Sequence, residues 1–177
     1  GVRLTATRGD LQRSDDRCMG SRPMTTLYVL CGLPGAGKST WARENAGRLQ
    51  AVVVCSDDVR RDLEAEGRDP WDGDSVFAEV ELRARGLLRA DRSVVLDATH
   101  FQRRYRTYIQ DVVSGIEVQR VGVWFVVPLE VCLQRNAGRN SLAFGDRRMP
   151  DEFVRALAEA FEPPGSDEFD EIVAVNP

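Results

Sequence analysis

Short blocks of consecutive apolar residues alternate along this chain with longer stretches in which apolar residues return every three or four positions. Leu27-Tyr28-Val29-Leu30-Cys31 and Ala51-Val52-Val53-Val54-Cys55 are uninterrupted apolar runs rich in β-branched or aromatic residues. Such runs are the signature of strands buried on both faces. Further blocks at 93–96, 118–127 and 170–175 predict three more strands. Helical spacing predicts helices between them, over 38–49, 58–66, 74–90, 101–114, 129–138 and 151–162, the last opened by Pro150. Strand and helix alternate in this way from residue 26 to the end. That order predicts an α/β domain: a doubly wound, mostly parallel five-stranded sheet with helices on both faces. Residues 1–25 sustain neither period and mix arginine with aspartate, so they are expected to be a flexible or loosely docked tail.

The bulk properties narrow the class. With 177 residues, 42% of them hydrophobic, the chain can build one proper core. No run comes near the roughly 18 to 20 apolar residues needed to cross a bilayer, and the N-terminal residues show no secretory apolar segment. The expectation is a cytoplasmic protein without membrane contact. Formal net charge is −4, so a polyanionic partner would be gripped by a local patch and not by the overall field. The four cysteines, Cys18, Cys31, Cys55 and Cys132, form no C-x-x-C pair, and His100 is the single histidine. Structural zinc is not expected; the three cysteines at apolar stretches are expected to be buried thiols.

The candidate chemistry lies at strand ends. After the first strand comes Gly32-Leu33-Pro34-Gly35-Ala36-Gly37-Lys38-Ser39-Thr40, which satisfies G-x-x-x-x-G-K-[ST] and leads into a predicted helix. Its glycines let successive N–H groups turn toward phosphate oxygens, and the helix N-terminus adds its positive dipole end. Gly35, Ala36, Gly37, Lys38, Ser39 and Thr40 are thus candidate ATP contacts, with Lys38 on the β- and γ-phosphates and Ser39 on Mg²⁺. The second strand ends in Ser56-Asp57-Asp58-Val59-Arg60. Asp57 there can accept the proton of an attacking hydroxyl, and Arg60 returns to the same side one turn later. Ser56 or Asp57 serves equally well as a helix cap, and the two roles are compatible. Asp97, closing the third strand, matches a Walker B carboxylate acting on the magnesium site. His100 reads as structural. Arg135, Arg139, Arg147 and Arg148 crowd one interhelical segment with Gly138 and Gly145, the composition of a lid that pairs with polyphosphate. Trp71 and Phe144 are candidate stacking residues, and ordinary packing explains either as well.

Together these pieces resemble the P-loop polynucleotide 5′-kinase family, typified by the 5′-kinase domain of the T-even bacteriophage polynucleotide kinase. The resemblance lies in Gly32 to Glu44, Ser56 to Arg60, Asp97-Ala98-Thr99, Val127-Pro128, Arg135-Asn136, Arg139 and Met149-Pro150, and it covers roughly residues 26–175. It implies a P-loop kinase domain over 26–177 with strand order 2-3-1-4-5 and an arginine-rich lid. The implied reaction is ATP- and Mg²⁺-dependent phosphorylation of RNA or DNA 5′-OH ends. Asp57 would be the general base, Arg60 and Thr99 acceptor contacts, Arg139 the lid arginine at the γ-phosphate, and Arg135 a contact along the nucleotide. Ser56 departs from the pattern, because the phage kinase domain has arginine there. The segment Phe161-Glu162-Pro163-Pro164 resembles a broader group of small ATP-binding kinases and would place a turn near the adenine. Two other readings stand beside this one: a kinase for a small-molecule hydroxyl, and a non-catalytic nucleotide-binding module. Arg103, Arg104 and Arg106 would supply further phosphate contacts in the first reading, or form a solvated helical face.

Overall fold

The computed structural model describes residues 24–139 and 148–176, together with the backbone of 2–6. In chain order its strands are β1 (Val2–Ala6), β2 (Thr26–Cys31), β3 (Ala51–Cys55), β4 (Ser93–Asp97), β5 (Gln119–Phe125) and β6 (Glu171–Val175). Its helices are α1 (Lys38–Leu49), α2 (Ser56–Ala65), α3 (Gly73–Arg89), α4 (Ile109–Val113), α5 (Leu129–Ala137) and α6 (Asp151–Glu159). The sheet runs β1-β6-β5-β2-β4-β3 and every pairing is parallel. Without β1, the remaining five strands have the expected order 2-3-1-4-5.

Alternation along each strand sorts the core into two layers. Leu27, Val29 and Cys31 of β2, with Val94 and Leu96 of β4, pack against Val59 and Leu63 of α2 and Val76, Val80 and Leu88 of α3. Tyr28 and Leu30 point the other way with Val95, Val121, Val123 and Val173, and meet Trp41, Ala42 and Leu49 of α1. Both faces of β2 are therefore dry, which is why its sequence shows no polar alternation. β2 is central, with β4 and β3 on one side of it and β5 and β6 on the other. The loops at its carboxyl end and at those of β3 and β4 thus open onto one crevice, where a sheet of this topology binds ligands.

Two expectations change. β1 occupies the outer edge of β6, in a segment where the sequence shows no strand period. An unpaired parallel edge offers a full row of N–H and C=O groups, and backbone pairing needs no side-chain pattern. The helix expected over 101–114 is instead a 3₁₀ turn, Arg103–Arg106, followed by the short α4. Arg106 is the cause. Its guanidinium turns inward, donating to the carbonyls of His100 (2.9 Å) and Glu162 (3.0 Å) and to both carboxylate oxygens of Glu168 (2.8 and 2.9 Å). A continuous helix would not place this side chain, which is 3% exposed, among all four acceptors.

His100 also turns inward, at φ 44°, with Nδ1 2.9 Å from Leu30 O and Nε2 2.7 Å from Tyr108 Oη. It is the structural histidine that its sequence context suggested. Burial pushes its pKa down to about 4, so it is neutral at physiological pH.

The Arg106–Glu168 pair ties the 3₁₀ turn to the segment entering β6. Removing one partner of a buried pair leaves the other charge uncompensated. Arg106→Ala is expected to lose about 3–5 kcal/mol in urea unfolding. A loss below about 1 kcal/mol would show that Glu168 finds solvent or another partner.

Candidate functional site

The turn between β2 and α1 is built from backbone. Gly35 (φ 83°) and Gly37 (φ 97°) lie in the left-handed region, where a side chain is strained. A Cβ on Gly35 would sit 2.4 Å from Cys132 O of α5, so this glycine also allows the turn to press against that helix. Gly32 N donates to Thr99 O (3.1 Å), joining the start of the turn to the loop after β4. Lys38 opens α1 and is buried, with Nζ donating to Gly32 O and Leu33 O at 2.9 Å each. Its ammonium thus lies inside the curl of the turn. Ser39 and Thr40 follow on the exposed side of the first helical turn.

Around Lys38 the charges alternate. Burial lowers the Lys38 pKa; Asp97 acts against that shift and Arg139 adds to it. Asp57 is half-buried in the first turn of α2, and burial raises its carboxyl above the usual range. The Arg60 guanidinium is the strongest opposing influence on it, Asp97 reinforces the shift, and Lys38 and Arg139 oppose it. Arg60, Asp97, Lys38 and Arg139 thus all act on Asp57, in the cleft at the carboxyl ends of β2, β3 and β4. Asp97 is 5% exposed and its carboxylate also meets the Cys55 thiol, which burial pushes up to about 12 and keeps protonated.

The capping question at Ser56 and Asp57 has a clear answer. α2 begins at Ser56, two residues earlier than its spacing suggested, and no side chain caps its first turn. Ser56 Oγ lies 3.5 Å from Asp97 O, a long contact. Asp57 in the first turn benefits from the helix dipole while its carboxylate faces the charged cleft.

Arg135 reaches the turn from α5: its Nη1 lies 4.0 Å from the position a Cβ would take on Gly37. Together with Ala36, Thr40, Trp41, Phe125 and Asn176 it lines a crevice beside the start of α1. Asn136, which belongs to the resemblance but receives no role from it, is fully buried. Its amide donates to Met149 O (2.7 Å) and its carbonyl accepts from Met149 N (3.0 Å), clasping the two ends of the arginine-rich segment. Arg148 pairs with Asp151 at the surface, while Phe144, Gly145 and Arg147 lie outside the described residues.

The three arginines expected near the cleft have partners within the chain. Arg106 is consumed internally, and Arg103 pairs with Asp167 while its backbone N–H donates to Glu162 Oε2 (2.6 Å). Arg104 stacks on Tyr105, its guanidinium 4.7 Å from the ring centre. The turn at Glu162-Pro163 is bound to Phe101 O and to Arg106.

A cation fits this cleft on chemical grounds. The Ser39 hydroxyl, in the first turn of α1, and the Asp97 carboxylate, at the end of β4 beside β2, are hard oxygen donors. Among the described residues, no three His, Cys, Asp or Glu side chains gather as a closed metal cage. That sparse donor set suits Mg²⁺, which keeps water and phosphate oxygens in its coordination shell. No helix among the described residues is long and apolar enough to cross a membrane.

Comparison with known proteins places this geometry. The family model described as an AAA domain matches residues 27–164. The L-seryl-tRNA(Sec) kinase of Methanococcus maripaludis is 22% identical over 143 residues, 79% of this chain and 54% of its own length. The chain thus spans about half of that curated relative. The RNA repair complex Pnkp1/Rnl/Hen1 contains a chain with TM-score 0.65 and 23% identity, matched over 80% of this protein and 45% of that chain. A gluconokinase from Sinorhizobium meliloti gives TM-score 0.57 and 19% identity over 88% and 84% of the two chains. At these identities the structural likeness concerns the fold.

Glycines provide a matched test of the turn. Gly35→Ala is expected to cost at least about 1–3 kcal/mol through backbone strain. Gly47→Ala, in α1 with no atom within 4 Å of a new Cβ, should gain about 0.5–1 kcal/mol. Equal effects in urea titration would refute the close approach to Cys132.

Asp57 provides another test. Its raised pKa means that the charged form burdens the folded state. That burden is absent below the ordinary carboxylate value and complete above the raised one. Asp57→Asn should therefore match wild-type stability in acid and exceed it at neutral pH, as read by urea unfolding at both.

Proposed function

The chain belongs to the AAA domain family and has the fold of a P-loop kinase, and from that premise we propose that it transfers the γ-phosphate of ATP to the 5′-hydroxyl end of a polynucleotide. The observation that carries this reading is Asp57, a half-buried carboxylate with a raised pKa that shares one cleft with Lys38, Arg139, Arg60 and Asp97. A nucleotide switch requires the glycine turn and Lys38 but has no use for a base in that position.

The division of labour follows from these positions. Backbone N–H groups of the Gly35–Ser39 turn and the Lys38 ammonium receive the phosphates, and Arg135 lies along the nucleotide beside α1. Arg139 offsets charge on the transferred group. Ser39 and Asp97 would hold Mg²⁺, which would supply neutralisation of phosphate charge there. Asp57 accepts the proton of the acceptor hydroxyl as its oxygen bonds to the γ-phosphorus and the bond from that phosphorus to the β,γ-bridging oxygen breaks. Its raised pKa makes it a stronger base than an exposed aspartate. Thr99, whose carbonyl accepts from Gly32 N, is the further acceptor contact in this reading.

Support for a polynucleotide acceptor comes from Arg60, a cation one helical turn from the base, suited to a phosphate next to the reactive hydroxyl. The sequence resemblance points the same way, as do two relatives whose names refer to RNA repair and to a tRNA. A small-molecule acceptor is the second reading, favoured by the net charge of −4 and by the internal pairing of Arg103 and Arg106, which removes part of a basic track.

The deciding experiment follows labelled γ-phosphate from ATP with magnesium to short 5′-OH RNA and DNA oligonucleotides. Wild type should label the ends, and Asp57→Ala should bind ATP yet lose at least about a hundredfold in transfer. The acid limb of the pH–rate profile should lie above an ordinary aspartate value. Absence of label on RNA and DNA alike, with labelling of gluconate or another small alcohol, would favour the second reading.

A further inference from the structure

Trp71 is 60% exposed, an unusual fate for so large an apolar surface. It sits in the connection between α2 and α3, yet it is not loosely held. Its backbone N–H donates to Asp69 Oδ1 (2.8 Å), and the Arg60 guanidinium lies over its ring, 5.9 Å from the centroid. Arg60 Nη1 also donates to Pro70 O at 2.5 Å. The same guanidinium is the strongest opposite charge acting on Asp57. One arginine thus couples the position of an exposed indole to the carboxylate that handles the reacting proton.

We infer that Trp71 is a stacking shelf for the nucleobase of the acceptor's 5′-terminal nucleotide. This rests on the polynucleotide reading of the Asp57 cleft and specifies which part of that acceptor is recognised. A nucleoside whose 5′-oxygen lies at Asp57 carries its base a few ångströms from that oxygen. An aromatic face positioned through Arg60 is the kind of surface that receives a base regardless of its identity. The guanidinium that holds the indole retains further N–H donors for the neighbouring phosphate. Hydrogen-bonding readers of base edges are not required, so end recognition would be tolerant of sequence. A sugar acid or other small alcohol would gain nothing from the indole, so the shelf also separates the two classes of acceptor.

The test compares wild type, Trp71→Phe and Trp71→Ala on a 5′-OH oligonucleotide and on the same oligonucleotide with a base-free 5′-terminal sugar. Stacking on one base is worth about 1–3 kcal/mol, or roughly 5- to 150-fold. Trp71→Ala should raise KM for the base-bearing end by about tenfold, within that range. Trp71→Phe should retain most of the affinity, and KM for ATP should stay unchanged. The base-free end should bind wild type weakly and be indifferent to Trp71. In parallel, a nucleoside 3′-monophosphate is titrated against intrinsic fluorescence, taking the wild-type signal minus that of Trp71→Phe.

Quenching of the Trp71 component, with a KM effect confined to base-bearing ends, supports the shelf. Transfer to oligonucleotides with equal KM effects on both ends, or with no quenching, overturns the shelf and leaves the kinase reading intact. Quenching without any transfer to oligonucleotides keeps the base-binding surface and overturns the polynucleotide kinase reading.

Discussion

The site depends on how closely a bare backbone turn can approach the helix beside it. Between β2 and α1 the chain must reverse within a few residues, hold positive φ at Gly35 and Gly37, and lie against Cys132 of α5. Only glycine meets both demands at Gly35, where strain and collision would act together on any larger residue. Lys38 owes its place to that curl, since its acceptors are carbonyls of the turn itself. Arg135 owes its place to α5, the helix that the turn touches, and Arg139 follows just beyond that helix. Loosening this contact would move the phosphate-binding backbone and both arginines relative to one another.

Charge inside the cleft is arranged so that no group is left alone. Burial works against the ionised forms of both Lys38 and Asp57; Asp97 and Asp57 support the Lys38 ammonium, and Arg60, Lys38 and Arg139 support the Asp57 carboxylate. The balance leaves Asp57 more basic than an exposed carboxylate, which suits proton acceptance. Elsewhere the chain pairs its arginines internally. Arg106 meets Glu168, Arg103 meets Asp167 and Arg120 meets Asp170, so a count of arginines overstates the cationic surface available to a ligand.

The segment after β4 shows why. Read as a sequence, 101–114 has helical spacing and a cluster of three arginines that invites a phosphate-binding interpretation. In the structure His100 and Arg106 turn inward and bind elements from β2 to the approach to β6. Their partners, Leu30, Tyr108, Glu162 and Glu168, lie as far as 70 residues away in the chain, and no local pattern announces them. Asn136 is a similar case, because its value comes from facing Met149 across a segment whose return path the sequence does not specify.

What the sequence determined by itself is what short-range physics controls. Apolar runs buried on both faces fixed the five core strands, and the glycine spacing before Lys38 fixed the phosphate-binding turn, because φ freedom and strand burial are properties of a few consecutive residues. The position of Asp57 at a strand end likewise followed from the alternation. Only the tertiary structure decided which charges meet: that Arg60 lies between Asp57 and Trp71, that Arg135 reaches Gly37, that Arg106 is buried, and that Val2–Ala6 finds the edge of β6. Each of these depends on side chains or backbone edges brought together from distant parts of the chain. Coulomb and hydrogen-bond energies follow distance in space, which the order of residues does not record.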